Sequence, residues 1–186
     1  MLKLHTNHLQ AIQAHAESTY PEECCGILIG HQQGDNKTLI EVFPTENSWN
    51  NEAADIFSSR ETIAQSQTSR RNRFTIAPAV MLQAQKNARD RQLDIIGIYH
   101  SHPDYPAVPS EFDRAIAWPQ YSYIIVSVQQ GIANELKSWS LDKDHQFQPE
   151  EIMTIPKGDG EMGRWGDGEM ERWRDGEKRI DNFSKN

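Results

Sequence analysis

The stretch Tyr99-His-Ser-His-Pro-Asp-Tyr-Pro-Ala-Val-Pro-Ser-Glu-Phe-Asp113 decides the fold and the chemistry that we expect of this chain. It continues an apolar run, Asp94 to Tyr99, of the kind that forms a buried strand. Residues two apart in an extended chain project to the same side, so the imidazoles of His100 and His102 can reach one ion. Pro103 removes a backbone donor and stops the strand. The stretch therefore predicts two histidines facing one cavity.

A helix start follows the two histidines and adds a carboxylate. Ser110 is the expected N-cap, and Asp113 takes the third helical position. Two imidazole nitrogens and one carboxylate oxygen suit a tetrahedral zinc whose fourth position is open, as in catalytic sites. Ser-x-x-Asp is also an ordinary helix cap, and H-x-H alone is a weak signal. The combination at fixed spacing favours a metal site.

The pattern H-S-H-P followed by S-x-x-D resembles the JAMM motif of the MPN-plus metallopeptidases, a family that includes zinc-dependent deubiquitinating enzymes. The segment P-E-E-C-C-G, Pro21 to Gly26, is similar to the upstream signature of the bacterial branch of that family. The resemblance covers roughly residues 1 to 155, and no motif position is substituted. It implies a curved, mixed β-sheet flanked by helices, of the MPN or cytidine-deaminase-like type.

The resemblance also implies a role for each motif residue. His100, His102 and Asp113 correspond to the ligands of one zinc ion per chain, Glu23 to the general acid/base, and Ser110 to the hydroxyl that stabilises the oxyanion. The implied reaction is hydrolysis of a peptide or isopeptide bond. The implied substrate is the C-terminal tail of a ubiquitin-like or sulfur-carrier protein.

Two other functions stay open at this point. The chain could be a non-catalytic interaction module of the same fold, although such members typically lose ligands. It could also resemble DNA-repair-associated relatives that share an H-x-H metal motif. A formal net charge of −8 argues against a nucleic-acid partner.

Length and composition predict one domain of α/β or α+β class with an appendage, in 186 residues. No run is long and apolar enough for a membrane span, and Met1 to Leu9 lacks the apolar core of a signal peptide. Cys24 and Cys25 are adjacent and predict buried thiols rather than a disulfide. We therefore expect a cytoplasmic protein without a membrane partner, and the sequence leaves a homodimer open.

Hydrophobic periodicity predicts three helices and seven strands in residues 1–156. The predicted helices span Leu4 to Tyr20, Pro78 to Arg91 and Ser110 to Ala117. The predicted strands span Cys24 to Gly30, Thr38 to Phe43, Phe74 to Ile76, Leu93 to His102, Tyr121 to Val128, Glu135 to Leu141 and Phe147 to Ile155.

Two stretches carry no such pattern. The polar segment Pro44 to Arg73 is typical of a functional or mobile loop. In it, Trp49 is either a contact residue or a loop anchor, and Arg70, Arg71 and Arg73 are either solvated or bind an acidic partner. After Pro156 the octapeptide G-D-G-E-M-G-R-W is followed by G-D-G-E-M-E-R-W, and we expect residues 157–186 to form a disordered extension.

Overall fold

The computed structural model describes residues 1–50 and 69–156, which belong to one compact unit, Met1–Pro156. The strands are β1 (Leu2–His5), β2 (Cys25–Gln33), β3 (Asn36–Thr45), β4 (Asp94–Pro103), β5 (Ser122–Gln129), β6 (Ile132–Leu141), β7 (Phe147–Glu150) and β8 (Ile152–Ile155). The helices are α1 (Thr6–Thr19), α2 (Pro78–Asp90) and α3 (Glu111–Ile116). The predicted disordered tail, residues 157–186, lies outside the described residues, as do residues 51–68 of the predicted loop.

The eight strands of these two described ranges form one mixed sheet with the order β7-β6-β5-β4-β2-β3-β1-β8. β4 pairs with β5 in parallel, and β1 pairs in parallel with both of its neighbours. The two long helices cover opposite faces. Ile12 of α1 packs in a core with Leu28 of β2, whereas Ala84 and Ala88 of α2 pack with Ile27 of the same strand. This arrangement confirms the predicted α/β fold with a mixed sheet flanked by helices.

The sheet is strongly curved. The Nζ atom of Lys37 in β3 donates to the Oγ atom of Ser122 in β5 at 3.0 Å. These strands are three spacings apart in the strand order, which is about 14 Å in a flat sheet and beyond the reach of a lysine. In addition, only Glu151 separates β7 from β8, which form the two edges of the sheet. The two edges therefore approach each other.

Two of the predicted strands are wrong, and the first helix begins two residues later than predicted. The helix predicted from Leu4 to Tyr20 spans Thr6–Thr19, because Leu4 and His5 belong to β1, in which Leu2 and Leu4 are buried in the alternation of a β-strand. Phe147 to Ile155 is two strands on opposite edges instead of one. Phe74 to Ile76 pairs with no strand. The backbone groups of Thr75 bond instead to the Asn47 side chain and to the Ser48 amide, which removes the need for a ladder.

None of the helices in the described ranges is long and apolar enough to cross a membrane.

Gly26 allows β2 to pass close to Tyr99 of β4. A Cβ atom at Gly26 would clash with the Tyr99 ring and would lie 2.6 Å from the carbonyl oxygen of Phe43. The Tyr99 ring is fully buried, and its hydroxyl lies 2.8 Å from the Nδ1 atom of His15. The ring therefore cannot move aside without loss of that contact, so this position requires glycine.

We expect Gly26→Ala to lower the free energy of unfolding by about 3 kcal/mol, because overpacking forces backbone and side chains apart. Gly34→Ala is the matched control. Gly34 has a φ of +59° and no atom near its missing Cβ, so its cost is only backbone strain of about 1 kcal/mol. Urea unfolding measures both variants. An equal or smaller loss for Gly26→Ala would contradict this account of the β2–β4 contact.

Candidate metal centre

The structure brings His100, His102 and Asp113 together. Tyr99 points into the core beneath α1, so the two histidines of β4 project from the opposite face. Their Nε2 atoms are 3.0 Å apart. The Asp113 carboxylate of α3 lies 3.3 Å from the Nε2 atom of His100 and 3.6 Å from that of His102. All three side chains are buried, and no other group of this kind occurs in the described residues.

The donor set fits a zinc ion. The Nδ1 atom of His102 lies 2.9 Å from the carbonyl oxygen of Pro106, which only accepts, so Nδ1 carries the proton and Nε2 keeps a lone pair. Two nitrogens on a tetrahedral zinc are about 3.3 Å apart, given Zn–N bonds of about 2.0 Å. The observed separation of the Nε2 atoms of His100 and His102 is close to that value. Two neutral imidazoles and one carboxylate can therefore ligate one cation here.

The charges of Asp113 and His100 agree with this donor set, whereas the contacts of His102 with Asp113 favour its protonated form, whose proton a cation must displace. Burial alone raises the pKa of the Asp113 carboxyl, but the charges and hydrogen bonds of the two histidines hold it well below its usual range. Burial lowers the pKa of His100, which favours the neutral imidazole. Burial also acts to lower the pKa of His102, but its contacts with Asp113 outweigh burial and raise it. The carboxylate is thus ionised and attracts positive charge.

Glu23 lies two residues before β2 and close enough to His102 for their charges to interact. Cys25 faces His100 in the antiparallel register, and continuing that register by two residues places Glu23 opposite His102. The Glu23 side chain is only 5% exposed. Burial raises the pKa of its carboxyl to about 8, an effect that His102 opposes and Asp113 reinforces. A carboxyl of this kind can both take up and release a proton near neutral pH.

Ser101 fixes the backbone beside Glu23. The Oγ atom of Ser101 accepts a hydrogen bond from the amide of Cys24 at 2.8 Å, and the Ser101 amide donates to the Cys24 carbonyl at 3.2 Å. The amide of Glu23 donates to the carbonyl oxygen of Arg70 at 2.7 Å. The Glu23 backbone is therefore held between β4 and the loop that carries Arg70.

Ser110 is the N-cap of α3, as its position before Asp113 predicted. Its hydroxyl accepts from the Asp113 amide at 3.1 Å and donates to the Oδ2 atom of Asp113 at 2.7 Å. The Ser110 amide donates to the same oxygen at 2.7 Å. The reciprocal cap thus orients the carboxylate toward the histidines. The oxyanion role of Ser110 stays a prediction.

Aromatic side chains pack on the cluster and on the helix that carries Asp113. Phe74 stacks on the imidazole of His100 with ring centroids 4.5 Å apart and an interplanar angle of 23°. Trp49 makes an edge contact with Phe112, the neighbour of Asp113, with centroids 5.4 Å apart. Trp49 is buried, which favours a loop anchor. Trp49 and Phe74 lie in segments that form neither helix nor strand, so the sequence pattern did not indicate their contacts with Phe112 and His100.

The three arginines of the loop make contacts within the chain. Arg70 lies 4.0 Å from carboxylates of Glu22 and Glu46, and Arg71 pairs with Asp104 at 3.3 Å. The Arg73 guanidinium carbon is 4.7 Å from the centroid of the Phe112 ring. The prediction that they bind an acidic partner is therefore not needed to explain them.

The thiols of Cys24 and Cys25 are buried and free, in agreement with the sequence prediction. Burial raises the pKa of both thiols to about 12. They are therefore protonated at neutral pH.

Comparison with known proteins identifies relatives of this chain. A desampylase of Haloferax volcanii is 34% identical over 109 residues, which cover 58% of this chain and 63% of the relative. The chain thus spans less than two thirds of that relative's length.

Two solution structures are similar over nearly their whole length. The one from Desulfitobacterium hafniense is 28% identical with a TM-score of 0.66, covering 86% of this chain and 96% of that protein. The one from Salinibacter ruber is 30% identical with a TM-score of 0.58, covering 87% and 96%.

The family Prok-JAB, described as prokaryotic homologues of the JAB domain, matches residues 5–142, which is most of the chain and includes the whole histidine and aspartate cluster. The match also contains the start of β2 with Glu23 and the cap of α3 with Ser110. By this match and by the fold, the chain belongs to the prokaryotic JAB-domain family.

Proposed function

We propose that this chain is a zinc-dependent metallopeptidase that hydrolyses the peptide or isopeptide bond at the C-terminal tail of a ubiquitin-like or sulfur-carrier protein. The observation that carries the proposal is the buried cluster of His100, His102 and Asp113 with Glu23 opposite His102. Family membership and the similarity to a desampylase support it.

His100, His102 and Asp113 would hold one zinc ion. Zinc supplies a Lewis acid that lowers the pKa of water to about 7 and polarises a carbonyl oxygen. The Pro106 carbonyl keeps the proton of His102 on Nδ1, so the Nε2 lone pair stays available. The Ser110 cap holds the Asp113 carboxylate in position. These contacts thus prepare the site before substrate arrives.

Glu23 moves the proton in the proposed reaction. Its carboxylate takes a proton from the attacking water, and the same carboxyl then delivers this proton to the departing amine. The Ser110 hydroxyl donates to the oxyanion that forms at the carbonyl, a contact worth about 3 kcal/mol in comparable chemistry. When that hydroxyl turns away from Asp113, the Ser110 amide still bonds to the carboxylate and preserves its orientation.

Specificity comes from outside these residues, because they act on the bond itself. An extended tail fits a groove in which its backbone pairs with the enzyme as an added strand. The C-terminal tails of ubiquitin-like proteins are such segments, and the desampylase relative favours this substrate class. We place the reaction in the cytoplasm, where the thiols of Cys24 and Cys25 stay reduced.

Elemental analysis tests the metal part of the proposal. We expect the zinc-loaded wild type to hold one zinc per chain and the double variant His100→Ala with His102→Ala to hold none, because one carboxylate cannot retain the ion alone. His31→Ala, which removes an exposed histidine of β2, is the matched control and should keep the metal. Full zinc retention by the double variant would place the metal elsewhere.

Glu23→Gln tests the proton transfer. The substitution preserves shape but removes the base, so we expect kcat to fall at least about 100-fold while one zinc per chain is retained. Glu22→Gln, at the neighbouring exposed glutamate, should retain wild-type activity. The assay follows cleavage of a set of ubiquitin-like and sulfur-carrier proteins fused through their C-terminal tails to a reporter.

Two results would contradict the proposed activity. One is a Glu23→Gln variant that cleaves as fast as the wild type. The other is a zinc-loaded wild type that cleaves no member of the set, which would favour an interaction module.

A further inference from the structure

The buried side chain of Asn47 joins four backbone positions around the site. Its Nδ2 atom donates to the carbonyl oxygens of Glu23 at 3.0 Å and of Arg73 at 2.9 Å. Its Oδ1 atom accepts from the amides of Trp49 at 3.0 Å and of Thr75 at 3.3 Å. A primary amide has two donor hydrogens and two acceptor lone pairs, so every bonding position of Asn47 is used.

The partners also fix which atom is nitrogen. Two carbonyl oxygens face one end of the Asn47 amide and two N–H groups face the other, so the reverse orientation would place like groups against each other. Only the bond to Trp49 is local, of the kind that an asparagine makes in an ordinary turn. The other three reach 24, 26 and 28 residues along the chain. Asn47 therefore connects separate segments.

One of these segments carries the ring that packs on a proposed metal ligand. Phe74 lies between Arg73 and Thr75, and Asn47 bonds to the residues on both sides of it. The Phe74 ring is the one stacked on His100. The segment pairs with no strand, so the Asn47 side chain supplies bonds that a sheet would otherwise provide. The position of the Phe74 ring therefore depends on Asn47.

The other two contacts lead to the remaining parts of the site. Asn47 bonds to the carbonyl of Glu23, the proposed acid/base, at the point where β2 begins. It also bonds to the amide of Trp49, whose ring packs against Phe112 on the helix that carries Asp113. The same amide group thus links its own loop, which carries Trp49, to the backbone of Glu23 and to the segment that carries Phe74.

We propose that Asn47 is a positioning residue that holds Glu23, Phe74 and Trp49 in register around the metal cluster. The expected effect on kcat rests on the proposed function. The expected effect on the backbone and on the ring positions does not. Asn47 does not touch the reacting atoms. It acts through the backbone of Glu23 and through the rings that pack against His100 and Phe112.

Two variants separate this role from general stability. Asn47→Asp has the same shape and keeps both acceptor contacts, but it replaces the donors with an oxygen that repels the carbonyls of Glu23 and Arg73. Asn47→Ala removes all four bonds. The matched control is Ser138→Ala, which removes a buried hydrogen bond to Glu150 between β6 and β7, away from the cluster.

In the kinetic arm, we expect kcat of Asn47→Asp to fall at least about tenfold with KM and zinc content near wild type, because the base is displaced relative to the bound ion. Ser138→Ala should keep the wild-type kcat even if its unfolding midpoint falls as far as that of Asn47→Asp. A kcat for Asn47→Asp equal to that of the control would overturn the proposal.

The second arm needs neither activity nor metal. In metal-free protein, hydrogen exchange should show the Trp49 and Thr75 amides exchanging at least about tenfold faster in Asn47→Ala than in Ser138→Ala. In both Asn47 variants, NMR spectra should show that the His100 ring protons lose the chemical-shift change caused by the stacked Phe74 ring. If the zinc-loaded wild type cleaves nothing, the proposed function fails, and this arm still decides the role of Asn47. Unchanged exchange and unchanged His100 signals would overturn it.

Discussion

The antiparallel register between β2 and β4 is the constraint on which the rest of the structure depends. It sets Cys25 opposite His100, and hence Glu23 opposite His102. A slip of one residue would turn the Glu23 side chain to the α1 face and separate it from the cluster. Gly26 and Ser101 both act against such a slip: the first admits the Tyr99 ring and the second bonds to the Cys24 amide. The stability of the sheet and the geometry of the site therefore both depend on the pairing of β2 with β4.

Burial of polar groups explains why the site is built so densely. Two imidazoles and two carboxyls are removed from water within one cluster, which is costly unless each group has a partner. The Pro106 carbonyl and the Ser110 cap provide partners for His102 and Asp113. A bound cation would face three donor atoms that otherwise face one another, while the buried Nδ1 atom of His100 has no hydrogen-bond partner in the described part of the chain. The Phe74 ring covers the imidazole of His100, and the burial of the cluster strengthens each of these interactions.

Local spacing carried most of what the sequence could predict. H-x-H on one strand and Ser-x-x-Asp at one helix start depend only on neighbours, so His100, His102, Ser110 and Asp113 were identified without knowledge of the fold. Glu23 came only from the family resemblance, because its place depends on a register with residues far along the chain. Other features had no local signal. β1 forms by pairing in parallel with β8 at the other end of the compact unit, and Asn47 matters only through distant backbone groups.

The central claim is that the cluster binds zinc beside Glu23, and anomalous diffraction from crystals of the zinc-loaded protein tests it most directly. The account predicts one zinc peak about 2.0–2.2 Å from the Nε2 atoms of His100 and His102 and from an Asp113 oxygen. It also predicts the Glu23 carboxylate within hydrogen-bond reach of the open coordination position. A peak at another place, or a peak at the cluster with Glu23 turned away from it, would contradict the account.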